Sequence, residues 1–297
     1  YPLLVRAVGE LTGGRWLLAA YVVSNVALVA ALVLLHRLTA LEWSEAVARR
    51  AVVLLCVFPT GFFLLAPYTE SLFLALALGC LYAARTRRWA LAALLGCLAA
   101  LTRSPGFLLA LPLLVEAGLQ WRVSRSRREL LAGVGAAAAP VAGLLGYLGY
   151  WQLHASDWRR PIDLQRSGWQ KESALPWETL WEGARLAVQF PGANPGGYFL
   201  VDALLVLLVL ACAVWCVVRL RATYWVWVWA SVLMPLFLMW PGRPLLSLPR
   251  IYLVVFPVVW ALAALGARFR AHDAVLAVSA GSMVLLGALF AAGQPFF

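Results

Sequence analysis

Charge is what this chain has least of. Only 12% of its 297 residues are Asp, Glu, Lys or Arg, about half the share of a soluble globular domain, and Lys171 is its one lysine. Histidine is almost as scarce: His36, His154 and His272 are scattered across loop edges, so no metal centre built from protein ligands is visible. The five cysteines, Cys56, Cys80, Cys97, Cys212 and Cys216, sit inside apolar runs with no CxxC pair, and they read as small hydrophobes rather than a disulfide or zinc framework. The opening YPLLVRAVGELTGGRW has neither the basic flank nor the cleavage site of a signal peptide. It also lacks an initiator methionine, which predicts an upstream spanning helix and its following external loop beyond this sequence. A net charge of +11 invites a nucleic-acid reading, but 23 of the 24 basic residues are arginines and most lie in short turns. That distribution is a topology signal and excludes a basic nucleic-acid face.

What fills the chain instead is apolar: 64% hydrophobic residues and a mean hydropathy of +0.85. The runs are continuous, not the alternating short segments of a transmembrane barrel, so their backbone must satisfy itself as helix. Ten are delimited by charged breaks: Trp16 to Leu35, Ala51 to Ala66, Ser71 to Ala84, Trp89 to Leu101, Phe107 to Leu119, Leu130 to Trp151, Phe199 to Val218, Tyr224 to Trp240, Ile251 to Gly266 and Ala274 to Ala291. The four between Ala51 and Leu119 are short for a span, which predicts tilt, continuation into the loops or a re-entrant pair. The expected fold is an all-α polytopic bundle of nine to ten spans, a single domain over residues 1–297.

Simple alternation sends fourteen arginines, among them Arg49, Arg50, Arg85, Arg127 and Arg268, into five short loops on one face, which predicts that face to be cytoplasmic. The opposite face receives eight of the thirteen acidic residues and the long segment 152–198. A connection of that length is usually functional or disordered, and its aromatic residues argue for order. Within it, PWETLWEGARLAV (Pro176 to Val188) has Pro in a first-turn position and helical apolar spacing, which predicts a helix lying along the membrane surface.

Chemistry concentrates on that same face. In FPTGFFLLAPYTESLF (Phe58 to Phe73) two prolines break an apolar run just before Glu70, a carboxylate whose depth is costly unless it is paired or faces water. The alternative reading of Glu70 is a helix-start residue favoured by the helix dipole. In ALTRSPG (Ala100 to Gly106), Arg103 occupies a tight turn from which it can clamp a phosphate or simply snorkel to the interface. RPLLSLPRIY (Arg243 to Tyr252) sets Arg250 beside Pro249 where a loop re-enters the membrane, suggesting an anion site shared with Arg103. In the long loop Asp157, Arg159, Arg160, Asp163, Arg166 and Trp169 form a cluster suited to a sugar, each singly being an ordinary solvated residue. Asp202 is a candidate for either a direct role or a dipole-favoured helix start.

The run from FPTGFFLLAPYTESLF through LTRSPGFLLALPLLVEA resembles the PIG-V family, the transferases that add the second mannose of the glycosylphosphatidylinositol anchor, and especially their bacterial relatives. PLLSLPRIYLVVFP and YPLLVR are similar to later and earlier landmarks of that family. The resemblance implies a membrane glycosyltransferase of GT-C architecture that takes mannose from a polyprenyl-phosphate donor to a lipid-linked or cell-surface acceptor, on the extracytoplasmic side. It places Glu70 with Tyr68 and Ser71, Arg103, and Ser247 with Arg250 on motif positions. Arg103 and Arg250 are thereby expected at the donor phosphate, and Tyr68, Ser71, Asp163, Trp169 and Ser247 at substrate. It also implies a catalytic Asp in a first external loop upstream of YPLLVR, which leaves Glu70 the best candidate within these residues. Ile251 separates Arg250 from Tyr252, where the family pattern leads one to expect adjacency. No cofactor is demanded, a divalent cation being left open, and the implied partners are the bilayer, the lipid-phosphate sugar and the acceptor, with no nucleic acid. The host membrane is the cell membrane in a bacterium and the endoplasmic reticulum in a eukaryote. The rival class, a transporter or flippase, should show duplicated halves interrupted at mid-membrane depth, and no such duplication is present; the same fold with another lipid-phosphate sugar is the remaining alternative.

Overall fold

The structure is a computed structural model describing residues 1–168, 170–192 and 198–294. After α1 (Pro2–Leu11) the chain runs through α2 (Trp16–Glu42), α3 (Glu45–Cys56), α4 (Phe62–Leu65), α5 (Glu70–Arg85) and α6 (Trp89–Thr102). A 3₁₀ turn, Ser104–Leu109, leads straight into α7 (Ala110–Ser124), which is followed by α8 (Arg127–Ala155). The long loop holds α9 (Arg160–Ser167), a two-residue strand β1 (Glu172–Ser173) and α10 (Pro176–Gln189). Then come α11 (Phe199–Arg219), α12 (Ala222–Leu236), β2 (Leu238–Met239), α13 (Leu248–Tyr252), α14 (Pro257–Arg268) and α15 (His272–Ala291). The architecture is thus an all-α bundle. Five stretches are long and apolar enough to cross a membrane unaided: α2, the 3₁₀ turn with α7, α8, α11 and α15.

The remaining apolar runs are short or broken, and the breaks have local causes. Pro59 cannot continue α3, and Gly61 turns back so tightly that its N–H donates to the Phe58 carbonyl at 2.6 Å. Ala66, directly before Pro67, is extended (φ −69°, ψ 158°), as sterics before proline require. The run expected from Tyr224 to Trp240 ends as helix at Leu236, and its last residues pair with the long loop instead, Glu172 opposite Met239 and Ser173 opposite Leu238. The run expected from Ile251 to Gly266 is likewise interrupted, α13 ending at Tyr252 before α14 begins at Pro257.

α10 starts at Pro176 as the sequence predicts, with the Glu178 carboxylate accepting the Leu175 N–H at 2.8 Å. Its inner face is pinned by Thr179 Oγ1, which donates to the Leu236 carbonyl at 2.8 Å. Gly183 lies against Leu245: a Cβ there would stand 2.4 Å from Leu245 Cγ, so a side chain at 183 requires the Leu245 side chain to move. Trp177 and Trp181 are turned outward and exposed, as on a helix resting at a lipid interface.

α5, 16 residues long, measures about 24 Å, less than the roughly 30 Å hydrocarbon layer. Its charged ends therefore sit close to lipid depth and both are paired with opposite charges. At the Arg85 end, Arg85 Nε meets Glu42 Oε1 at 2.5 Å and Arg85 Nη1 meets Glu116 Oε1 at 3.5 Å. Fully buried Glu116 also accepts from Arg221 Nε (2.9 Å), Thr223 Oγ1 (2.6 Å) and Gln120 Nε2 (2.7 Å). Tyr224 completes the cluster by donating to Glu42 at 2.9 Å. The Glu70 end carries the second cluster.

Candidate active site

Glu70 is the first residue of α5, and its side chain has no solvent exposure. Two cations converge on one of its oxygens: Arg103 Nη1 and Arg250 Nε each lie 2.6 Å from Oε1. The other oxygen, Oε2, is buried with no hydrogen-bond partner among the described residues. The arginines keep 19% and 24% of their side-chain surface, so the triad is a carboxylate at the back with two guanidinium groups in front of it. It holds one net positive charge, and a pair of cations bound to a buried anion in this way is oriented before any ligand arrives.

Local backbone explains why the two arginines meet. Arg103 caps α6 in an extended conformation (φ −146°, ψ 141°) and Pro105 starts the 3₁₀ turn that follows. Gly106 lies on the α6 backbone, where a Cβ would sit 2.4 Å from the Ala100 nitrogen, so the turn closes only around glycine. Its N–H donates to the Arg103 carbonyl at 2.9 Å, and Arg103 Nη1 also reaches Thr69 Oγ1 at 3.5 Å. On the other side Ser247 takes a left-handed conformation (φ 63°) that starts α13, and the Pro249 carbonyl accepts from Thr60 Oγ1 at 3.1 Å. Arg250 then stacks over Tyr68, 4.0 Å from ring centroid to guanidinium carbon, and over Phe63 at 4.9 Å. Stacking fixes the plane of the guanidinium and with it the direction of its remaining N–H groups.

The loop carrying Arg250 is fastened at a further point. Arg243 Nε and Nη2 donate to Asp202 Oδ2 at 3.1 and 2.9 Å, and both side chains are almost wholly buried. Asp202 is therefore an anchor for the segment before α13, and Oδ1 has no partner among the described residues.

The structure brings Glu70, Arg103, Arg250 and Tyr68 together. Ser71 is buried and donates its hydroxyl to the Leu64 carbonyl at 2.6 Å, which holds the α4–α5 turn and leaves that proton committed. Ser247 is part-exposed and contributes its backbone conformation. Tyr252 is buried and donates to the Val232 carbonyl at 2.9 Å, away from the triad's partners. Asp163 is exposed on α9, and no described contact joins it to the triad; Trp169 lies outside the described residues. Sequence reasoning missed Phe63 as a stacking partner and Arg243 as the mate of Asp202; RPLLSLPRIY singled out Arg250 alone. No group of three or more His, Cys, Asp or Glu side chains is poised for a metal among the described residues, and all five cysteines are free.

Residues 10–123 match the family model described as Mannosyltransferase (PIG-V). No curated protein and no solved structure matches the chain. The matched segment contains Glu70 and Arg103, two of the three triad residues, with Tyr68 and Phe63, whereas Arg250, Arg243 and Asp202 lie beyond it and are joined to it only by the fold. The match supports a membrane glycosyltransferase working with a sugar donor and an acceptor, and five stretches are long and apolar enough to cross a membrane.

Proposed function

We propose that this mannosyltransferase takes its sugar from a polyprenyl-phosphate-mannose and passes it, with inversion, to a lipid-linked or cell-surface acceptor on the extracytoplasmic side. The observation carrying the reading is the convergence of Arg103 and Arg250 on one oxygen of buried Glu70. A lipid phosphate departs as an adequate leaving group when its charge is met, and two pre-aimed guanidinium groups with unspent N–H donors meet it. In the transfer, the acceptor oxygen forms a bond to the anomeric carbon while the bond from that carbon to the phosphate oxygen breaks. The acceptor proton passes to a base and the phosphate carries off the electron pair.

Glu70 is a poor choice for that base. Oε1 is already occupied by two guanidinium groups, and the side chain stands behind the cations, not in front of them. Its role in this reading is to hold the arginines in register. The sidedness rests on charge: the triad lies at the end of the bundle opposite Arg85 and the other arginine-rich short loops.

The test is transfer of radiolabelled mannose from polyprenyl-phosphate-mannose to membrane lipids by the full-length protein. Arg103→Gln and Arg250→Gln are each expected to lower kcat by about 10²-fold or more, the usual effect of removing one donor from a developing oxyanion. Full activity with both arginines replaced, or transfer from a nucleotide-linked mannose instead, would sink the proposal.

A further inference from the structure

Between α4, which ends at Leu65, and α5, which begins at Glu70, lies a short non-helical stretch that carries Tyr68, the ring on which Arg250 stacks. Backbone carbonyls outside a helix need partners from elsewhere when they are shielded from water. Here two of them find partners on α2. Ser24 Oγ donates to the Tyr68 carbonyl at 3.0 Å, and Asn25 Nδ2 donates to the Leu65 carbonyl at 3.2 Å. Ser24 is fully buried, and its oxygen also lies 3.1 Å from the Tyr1 hydroxyl. With the Ser24 proton given to Tyr68, Tyr1 is the donor in that second contact.

These bonds are not what a helix ordinarily does with such side chains. A hydroxyl inside a helix commonly returns its proton to the carbonyl four residues back, and Thr39 of the same α2 does so, donating to the Leu35 carbonyl at 2.6 Å. Ser24 instead reaches a residue 44 positions away. Asn25 meets the Tyr21 carbonyl on its own helix at 2.9 Å and still spans the gap to Leu65. Two adjacent residues of one long helix thus grip both ends of the stretch that holds Tyr68. The Tyr68 N–H is committed as well, donating to the Ala66 carbonyl at 2.7 Å. With its N–H and its carbonyl both held, the direction in which the Tyr68 ring leaves the backbone is set, and the ring in turn meets the Arg250 guanidinium at 4.0 Å.

We propose that Ser24, supported by Asn25, is a positioning residue for the transfer reaction: through Tyr68 it fixes the plane in which Arg250 meets the departing phosphate. The role in transfer rests on the mannosyl-transfer reading above; the mechanical link from Ser24 through Tyr68 to Arg250 does not.

That link is measured without turnover. The full-length protein in detergent is treated with phenylglyoxal, and modification of Arg250 and of Arg103 is followed separately by peptide mass spectrometry. Ser24→Ala is expected to raise the rate at Arg250 several-fold and to leave Arg103, which stacks on no ring among the described residues, near its original rate. In a Tyr68→Ala background, where the stack is already gone, Ser24→Ala is expected to add nothing. Should Ser24→Ala fail to fold, Asn25→Leu, at a less buried position, carries the same expectations. An unchanged rate at Arg250 overturns the proposal. So does an equal rise at Arg103, which would make Ser24 a general packing residue, or a rise that persists without the Tyr68 ring. In mannosyl transfer Ser24→Ala is expected to lower kcat by about tenfold, because small misplacements of an aligned group cost up to about 10² in rate. Faster modification of Arg250 with kcat unaltered would overturn the role in transfer, whereas absence of transfer in the unsubstituted protein counts against the mannosyl reading alone.

Discussion

Arg250 spends one nitrogen on Glu70 and its flat face on Tyr68 and Phe63, so what it offers to a ligand is a fork whose plane is already set. A lysine at this position keeps the charge but loses both the fork and the stack. Arg250→Lys is therefore expected to cut mannosyl transfer by about 10²-fold while leaving the thermal unfolding of the purified protein nearly unchanged, which paired activity and tryptophan-fluorescence melting measurements check. Glu70→Gln should separate the two properties in the other direction. Replacing the fully buried carboxylate leaves two cations facing each other with no anion between them. Breaking a buried pair in this way costs about 3 kcal/mol, somewhat less here because the arginines retain some solvent. Earlier melting together with a raised KM for the donor is the expected outcome; an unchanged melting profile would show that the triad is not formed.

Much of this end of the protein is legible from residues alone. Glu70, Arg103 and Arg250 stand out because charge is rare in the chain and each lies within three residues of a proline. What cannot be seen is which charge meets which, since Glu70 and Arg250 are 180 residues apart and only packing joins them. Asp202 shows the same limit. As a sequence it is a lone carboxylate at a helix start; in the fold it is the buried mate of Arg243.

At the scale of elements, the informative object is α5, whose two ends are closed by two unlike clusters. The cluster at Arg85 is charge-balanced, with Glu42 and Glu116 against Arg85 and Arg221, and Glu116 is saturated by Arg221, Thr223, Gln120 and Arg85. The cluster at Glu70 has a surplus cation and an oxygen without a partner. A saturated, neutral network stabilises; an unsaturated, charged one is available for binding. Glu116→Gln is thus expected to destabilise the protein by about 3 kcal/mol and to leave the kcat of the folded fraction unaltered, which titration of active protein against total protein measures. Loss of kcat in fully folded protein would place Glu116 in the catalytic machinery and reverse this division of labour. Nothing in the sequence singled out Glu116, because a glutamate near the end of an apolar run resembles any interfacial residue until its partners, from α5 and the start of α12, are brought around it. The element boundaries tell a similar story: the long spans were visible as hydropathy, whereas the breaks at Gly61, Leu236 and Tyr252 depend on turn geometry and on the pairing of β1 with β2.

At the scale of the whole molecule the question is which way it faces. If the runs alternate, the fourteen arginines of the short loops fall on one side, which the positive-inside tendency would put in the cytoplasm. The triad, α10 with its outward tryptophans, and β1 beside Lys171 are all tied to the opposite end, the first through α13, the second through α12, the third through β2. These three ties mean that one orientation measurement fixes the side of all three. Lys171, the chain's one lysine, is the handle: a membrane-impermeant amine reagent added to intact cells or sealed, right-side-out vesicles is expected to modify it without permeabilisation. Modification only after the membrane is opened would put the arginine pair on the cytoplasmic side. There a nucleotide-linked sugar becomes the natural donor, so that single result would overturn the lipid-phosphate reading even with every distance in the triad intact.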